Sequence, residues 1–434
     1  MLKKILPLFA GLFVSQFCVN AQEVLSLSQS IEAALENNYG IQVANLQITA
    51  AENEIYKGNA GLTPTLDWNT NVNGSLNQVN QIFLDNRRIN RLGNSIAPNT
   101  VLALSWTLYD GRRMQTNFER LKNVGQLSQV EKKLAVQNTI AAVMQSYYDI
   151  LRYRKSEEYL KTIIGYYEER LRLTEERWQI GRGSKLDFLQ SKTDLATQQV
   201  DLVNTQNQLK TAKIQLNNLL GRNAQTDYDV VDIPDSDNTY SLSLLLENAR
   251  MSNRELLLIN KSKEISLLDQ QIAESFRKPR VALNTSFGYS FNKSNAGFLA
   301  LNQSLGFNGG LSASWNIFNG HQTARNIQAA KIQTDIIEKR REDLLNQIEA
   351  DITSAYQQFL TDQQLLDLEE ENREIAEENL SISLQKFRLG ASTILELNEA
   401  QRRFDASLNR LVNARFNARV SELEMLRLSG SLVE

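Results

Sequence analysis

The sequence predicts a mainly helical chain with a membrane-type β part, built from two copies of a unit that pairs long helical hairpins with strands. Three observations carry this. The chain repeats itself along most of its length. Two very long Pro-free stretches follow the apolar periodicity of helices. Four short segments alternate apolar and polar residues at period two.

The repeat comes first. Trp106 in LSWTLYDG matches Trp315 in ASWNIFNG, 209 positions on. The same offset pairs Gly111 with Gly320, Tyr147 with Tyr356, Gly181 with Gly390 and Gly221 with Gly430. Ahead of the strands the offset is 215, pairing Leu27 with Leu242 and Pro64 with Pro279. Six extra residues therefore lie between Pro64 and Trp106, read as a longer surface loop near Asn80 to Ile96. The expected organisation is a signal peptide over 1–21, a first repeat over 22–221, a linker over 222–240 and a second repeat over 241–434. Each repeat reads helix, Pro, strand, loop, strand, Gly, long helix, Gly turn, helix. Strands are expected at about 64–78 and 97–109, then 279–292 and 305–318.

The signal peptide has Lys3 and Lys4 ahead of an apolar run from Ile5 to Val19, with Val19-Asn20-Ala21 as the cleavage site. The run is short of the ~20 residues a spanning helix needs. Cys18 follows Phe17, a poor setting for a lipoprotein cysteine, which normally follows a small residue.

Cys18 is the only cysteine and His321 the only histidine among 434 residues. No Cys-His pair or His/Cys metal cluster can be built from them, and no phosphate-binding Gly-rich loop is present. No cofactor, no metal and no catalytic residue is expected. The formal charge of -3 gives no basic footprint for nucleic acid.

In the first strand Leu66, Trp68, Thr70, Val72 and Leu76 share one face, against Asp67, Asn69, Asn71, Asn73, Ser75 and Asn77. The third repeats this with Val281, Leu283, Thr285, Phe287, Tyr289 and Phe291. Leu102, Leu104, Trp106 and Leu108 mark the second; Leu311, Ala313, Trp315 and Ile317 mark the fourth. Lengths near the ~9–11 residues of a tilted spanning strand, an Asn/Ser-rich face and aromatics among the apolar positions favour a membrane. Four strands cannot close a barrel, and open edges in lipid leave backbone groups unpaired. Two chains would leave almost no bore; three give twelve strands and a lumen.

Gly111 to about Trp178, and its copy from Gly320 to Phe387, each predict a helix of roughly 100 Å at ~1.5 Å per residue. Heptads run through Phe188, Leu195, Leu202, Leu209 and Leu216, and through Leu397, Phe404, Leu411, Ala418 and Met425. Val136, Ile140, Val143, Tyr147 and Ile150 step by four and three. Gly181 and Gly390 end the long helices as left-handed caps; Ser184 and Ser392 or Thr393 can cap the next ones. The join, Arg222 to Thr239, is read as a solvated linker with a short strand at Tyr228 to Ile233.

Together these residues resemble the TolC-type outer-membrane efflux protein family. The resemblance covers essentially the whole mature chain. It rests on the openings GLTPTL and FRKPRV, the strand ends SWTLYDG and SWNIFNG, and the tips RWQIGRGSKLDFL and KFRLGASTILELN, in that order twice over. It implies a homotrimer with a twelve-stranded outer-membrane β-barrel and a periplasmic α-barrel tunnel. That assembly would be the passive exit duct of a tripartite efflux or type I secretion system, partnered by a periplasmic adaptor and an inner-membrane pump. It places adaptor docking at Ile180, Gly181, Arg182, Gly183 and Ser184, and at Leu389, Gly390, Ala391, Ser392 and Thr393. It also implies an acidic periplasmic gate at Glu396 and Glu399, with Asp187 on the first tip. Family members with such a gate have Asp at the first two positions and a basic residue where Ser392 stands, so their latch is in doubt here; Arg182 and Lys185 are substitutes. The competing reading is a periplasmic coiled-coil scaffold, which explains the heptads but not the strands.

Overall fold

The computed structural model describes residues 23–234, 238–296 and 299–432; the expected signal peptide and Cys18 lie outside them. In chain order the elements are β1 (Glu23–Leu25), α1 (Leu27–Asn37), α2 (Tyr39–Glu54), β2 (Thr65–Ile82), β3 (Arg88–Tyr109), α3 (Arg113–Gln179), α4 (Lys185–Leu219) and β4 (Tyr228–Val230). There follow α5 (Leu242–Ser252), α6 (Arg254–Ser275), β5 (Arg280–Ser294), β6 (Leu301–Ser314), α7 (Gln322–Arg388) and α8 (Ile394–Ser429).

The duplication reaches individual hydrogen bonds. α3 and α7 have 67 residues each. The indole Nε1 of Trp106 donates to the carbonyl of Leu62 at 3.2 Å, and that of Trp315 to Arg277 at 3.0 Å. Both carbonyls lie two residues before the proline that opens a strand, so each tryptophan ties a strand end to a helix–strand corner. Asn38 Nδ2 donates to Leu219 O at 2.8 Å, as Asn253 Nδ2 does to Leu428 O at 2.9 Å. The Tyr147 hydroxyl donates to Leu25 O at 2.9 Å, and that of Tyr356 to Tyr240 O at 3.2 Å. Gly221 and Gly430 have φ of 64° and 76°. A Cβ there would lie 2.6 Å from Asn37 O and 2.7 Å from Ser252 O, so conformation and space both require glycine.

The chain divides into two compact units. One holds Met1–Asn38, Thr139–Thr239 and Gln357–Glu424; the other holds Tyr39–Asn138, Tyr240–Tyr356 and Met425–Glu434.

The second unit carries an antiparallel sheet of order β2-β3-β5-β6. Its register sorts the side chains by chemistry. One face has the rows Trp68, Leu102, Phe287, Phe307 and Thr70, Thr100, Tyr289, Leu305. The other has Asp67, Ala103, Ser286, Asn308 and Asn71, Asn99, Ser290, Ser304. On the apolar face three polar groups satisfy one another: Trp68 Nε1 donates to Thr100 Oγ1 at 2.8 Å, which also lies 2.8 Å from Thr70 Oγ1. That face is uncovered, with Trp68 at 78% and Phe307 at 70% exposure. β2 and β6 are open edges. No described helix is long and apolar enough to cross a membrane.

The strands differ from their predicted limits at the first hairpin and at both ends of β6, which begins at Leu301 rather than at about 305. The expected loop near Asn80 to Ile96 is a hairpin, since β2 and β3 pair out to Ile82 and Arg88. Residues such as Gln78 and Asn90, bonded at 2.7 Å, make both faces polar there, so no alternation marks the strand. β6 stops at Ser314, before the predicted 318, because its partner begins at Arg280, next to Pro279, and offers no further ladder. Within β3 the ladder to β5 skips from Ile96 to Asn99 around Pro98, which has no N–H to give.

In the first unit the segment read as a solvated linker is partly core. β4 pairs in parallel with β1 and ends at Val230, short of Ile233. Tyr228 and Val230 are buried. Its aspartates sit against cations: Asp227 lies 2.8 Å from Lys213 Nζ and Asp229 3.3 Å from Arg154. Alternation could not separate a three-residue buried strand from a linker.

Candidate functional site

Both helical tips are built alike. Arg182 N donates to Arg177 O at 2.8 Å and Ala391 N to Lys386 O at 2.9 Å, the six-to-one bond of a Schellman cap. Gly181 and Gly390 carry it at φ 74° and 76°. A Cβ at either would meet nothing within 4 Å, so these glycines serve conformation alone. Gly183 differs: its Cβ would lie 2.9 Å from that of Arg177, so the first tip also needs the space. Ser184 Oγ accepts from Leu186 N at 3.1 Å, and Thr393 Oγ1 from Glu396 N at 3.3 Å. Thr393 rather than Ser392 is therefore the second cap; Ser392 Oγ is buried without a hydrogen-bond partner. Ile180 and Leu389 are 65% and 84% exposed. Lys185 Nζ lies 5.6 Å from the centroid of Trp178, which stacks on Phe188; Lys185 is engaged within its own tip.

The acidic candidates differ in their partners. Glu399 accepts from Arg403 Nε at 2.8 Å and lies 3.3 Å from Arg402; the Arg403 guanidinium holds its carboxyl below the usual range. Glu396 accepts from Thr393 Oγ1 at 3.3 Å and is otherwise exposed. Asp187 sits in the first turn of α4, where the helix N-terminus favours a carboxylate.

Behind the tips lies a polar group of residues that sequence reasoning missed. Leu160, Ile163, Tyr167, Arg170 and Thr174 of α3 are all buried, at three–four spacing. Arg170, only 1% exposed, stands in that apolar seam. It donates to Asp194 Oδ2 of α4 at 2.5 Å, and to Asn398 Oδ1 and Gln401 Oε1 of α8 at 2.5 and 2.7 Å. Its guanidinium stacks on Tyr167 at 4.7 Å, and the Tyr167 hydroxyl donates to Asp405 Oδ2 at 2.7 Å. Around it pack Leu195, Leu380, Leu384, Phe387, Leu397 and Phe404. Two helices of the first hairpin and one of the second are thus joined through a desolvated cation. The legible signal was an arginine at a heptad core position.

Burial pushes the Asp405 carboxyl up to about 6 and outweighs the Tyr167 hydrogen bond and the nearby Arg170. The folded value lies above the unfolded one. The native state therefore takes up a proton between about pH 4 and 6, and this residue's contribution is lost as pH rises through about 6. Asp405→Asn is expected to match wild type only below about pH 4 and to be more stable at pH 7.5, by at most about 3 kcal/mol. Thermal midpoints of both proteins below about pH 4 and at pH 7.5 check this; a constant difference between them would contradict it.

Residues 30–222 and 245–431 match the family described as Outer membrane efflux protein. The chain belongs to the outer membrane efflux protein family. The Outer membrane protein TolC of Vibrio cholerae is 21% identical over 443 aligned residues, covering 100% of this chain and 97% of that one. Among solved structures, the outer-membrane channel OprN superposes with a TM-score of 0.78 at 18% identity, covering 93% of this chain and 90% of that one. The Campylobacter jejuni CmeC outer membrane channel gives 0.77 at 17%, covering 94% and 86%. At these identities the structures establish the fold. With the family, they identify this protein as an outer-membrane exit duct for efflux in a Gram-negative bacterium, with a long periplasmic helical part. The family is one of channel proteins rather than enzymes.

Proposed function

We propose that three copies of this efflux family member close a twelve-stranded barrel and conduct substrates passively, with energy supplied by an inner-membrane pump through a periplasmic adaptor. The carrying observation is the four-stranded sheet with one apolar face bare and both edges open. In lipid each unpaired edge group would cost several kcal/mol, so the edges need further strands, and three sheets leave a lumen lined by the Asn/Ser face. Val200 and Val203 of α4 and Leu368 and Ile375 of α7, all more than half exposed, supply apolar surface for helix contacts between copies. The mass of the detergent-extracted protein tests this; a monomer or dimer would refute it.

On this reading the tips at 180–184 and 389–393 dock the adaptor. Their exposed Ile180 and Leu389 stand on capped turns, so little ordering entropy is lost on contact. Glu396, Glu399 and Asp187 charge the entrance. Glu399 is held by Arg402 and Arg403, so Glu396 carries more of the field. Glu396→Gln is expected to lower cation preference in single-channel recordings more than Glu399→Gln does. A double variant with unchanged conductance and selectivity would remove these residues from the gate.

A further inference from the structure

The β2–β3 hairpin outruns the rest of its sheet. β3 pairs with β5 only as far as Ser95, whereas its ladder with β2 continues from Leu76–Asn94 to Ile82–Arg88. The overhang is about 20 Å at ~3.3 Å per residue. It closes over residues 83–87, where Asn86 has φ 65° and Phe83 N donates to Arg87 O. The other ends of β2 and β3 lead into α2 and α3. In an outer-membrane protein with a periplasmic helical part, this hairpin is therefore on the exterior side.

Charge at that end is one-sided. The four strands hold Asp67 and Arg280 toward the helical end, and Arg88, Arg91 and Lys293 toward the exterior. The turn acid, Asp85, is bound to Arg87 at 2.6 Å. Arg88, Arg91 and Lys293 are exposed, and none makes an ion pair among the described residues. Register then separates them. Arg88 pairs with Ile82, and Lys293 with Ile96 and Leu301, all on the face of Trp68, Phe287 and Phe307. Arg91, opposite Val79, is on the polar face. Lys293 follows directly on the aromatic positions Tyr289 and Phe291, where a membrane–water boundary falls. Arg88 stands about 25 Å further along the strand direction at ~3.3 Å per residue.

We propose that Lys293 and Arg88 form a docking surface for the phosphate-bearing glycolipid headgroups of the outer leaflet. The two cations face lipid at two depths. Lys293 meets phosphates at the acyl boundary, as a compact point charge. Arg88 meets those of the sugar region, with a guanidinium whose fork matches a phosphate. No carboxylate on that face competes for either. A zwitterionic phospholipid offers phosphate only at the first depth, which is why a phosphorylated glycolipid is the better fit.

The test is a titration of the detergent-extracted protein with purified lipopolysaccharide, read by thermophoresis. Arg88→Ser with Lys293→Ser is expected to weaken binding about tenfold or more. Arg91→Ser, on the opposite face, is expected to bind as wild type does. Enzymatically dephosphorylated lipopolysaccharide should bind wild type about as weakly as the intact glycolipid binds the double variant. All three positions are exposed, so equal thermal midpoints verify that the variants fold. Undiminished binding by the double variant overturns the proposal. So does equal affinity for the dephosphorylated glycolipid, or equal competition by phosphatidylglycerol.

Discussion

Arg170→Ala is expected to destabilise the folded protein by about 3 kcal/mol, because it strips a buried charge network of its only cation. Arg170 is almost wholly enclosed; its Nη1 and Nη2 donate to Asp194, Asn398 and Gln401, while its Nε has no hydrogen-bond partner among the described residues. Removing the guanidinium leaves these acceptors facing a void, and leaves the Asp405 carboxylate near no positive charge. Asp194 is about one-third exposed, so water can recover part of its solvation, which places the effect toward the low end for such pairs. Arg170→Met restores much of the volume but none of the donors, and is expected to recover the packing part alone. Arg170→Met with Asp194→Leu removes both charges, and should be closer to wild type than Arg170→Ala. Thermal midpoints of the detergent-solubilised protein, followed by helical circular dichroism, measure the series. If Arg170→Ala stays within about 1 kcal/mol of wild type, the network contributes little and the Leu195, Leu397 and Phe404 packing holds the hairpins together alone.

The contrast between this network and the rest of the chain defines what the sequence made legible. Helix limits were readable because Gly181, Gly390, Gly221 and Gly430 occupy a backbone region that other residues avoid. Local chemistry alone puts the ends of α3, α4, α7 and α8 at these glycines. The strand faces were readable from Leu66 to Leu76, where lipid and water ask for opposite residues on alternate positions. They ceased to be readable from Asn77 to Leu92, where polar residues such as Gln78 and Asn90 stand on the face that is apolar nearer the helices. β1 and β4 were opaque for a different reason: three residues carry no period, and their pairing is fixed by Tyr147 binding Leu25 O and Val231 O. The tips were found by pattern, but the partners of Glu399 and Lys185 depend on side-chain rotamers that no spacing rule supplies. Arg170 was visible as an arginine in a heptad seam; its acceptors, 24 to 231 residues away, were not.

Phe287→Arg is expected to abolish stable insertion, whereas Ser286→Arg, one residue away, is expected to be tolerated. The two positions differ only in face. Phe287 lies in the row Trp68, Leu102, Phe287, Phe307, and is about half exposed. Ser286 lies in the row Asp67, Ala103, Ser286, Asn308. An arginine on the lipid face near the middle of a membrane strand costs about 2–4 kcal/mol. If three chains share the barrel, one substitution places three such charges around it, and the penalty per assembly rises to roughly 6–12 kcal/mol. That is comparable to the whole stability of a typical domain, so the assembly and not merely its midpoint should fail. An arginine at Ser286 enters a wet, Asn/Ser-lined surface at little cost, but it adds positive charge to a lumen. Its expected signature is electrical: normal assembly with reduced cation passage in single-channel recordings. Outer-membrane fractionation and detergent-gel mobility report the first variant, conductance the second. Normal insertion of Phe287→Arg would mean that this face does not meet lipid. Failure of Ser286→Arg alone would mean that the faces are assigned the wrong way round. Because both variants sit in the same strand and carry the same charge, a difference between them isolates the direction in which β5 presents its side chains, which is the property that makes the sheet part of a channel wall.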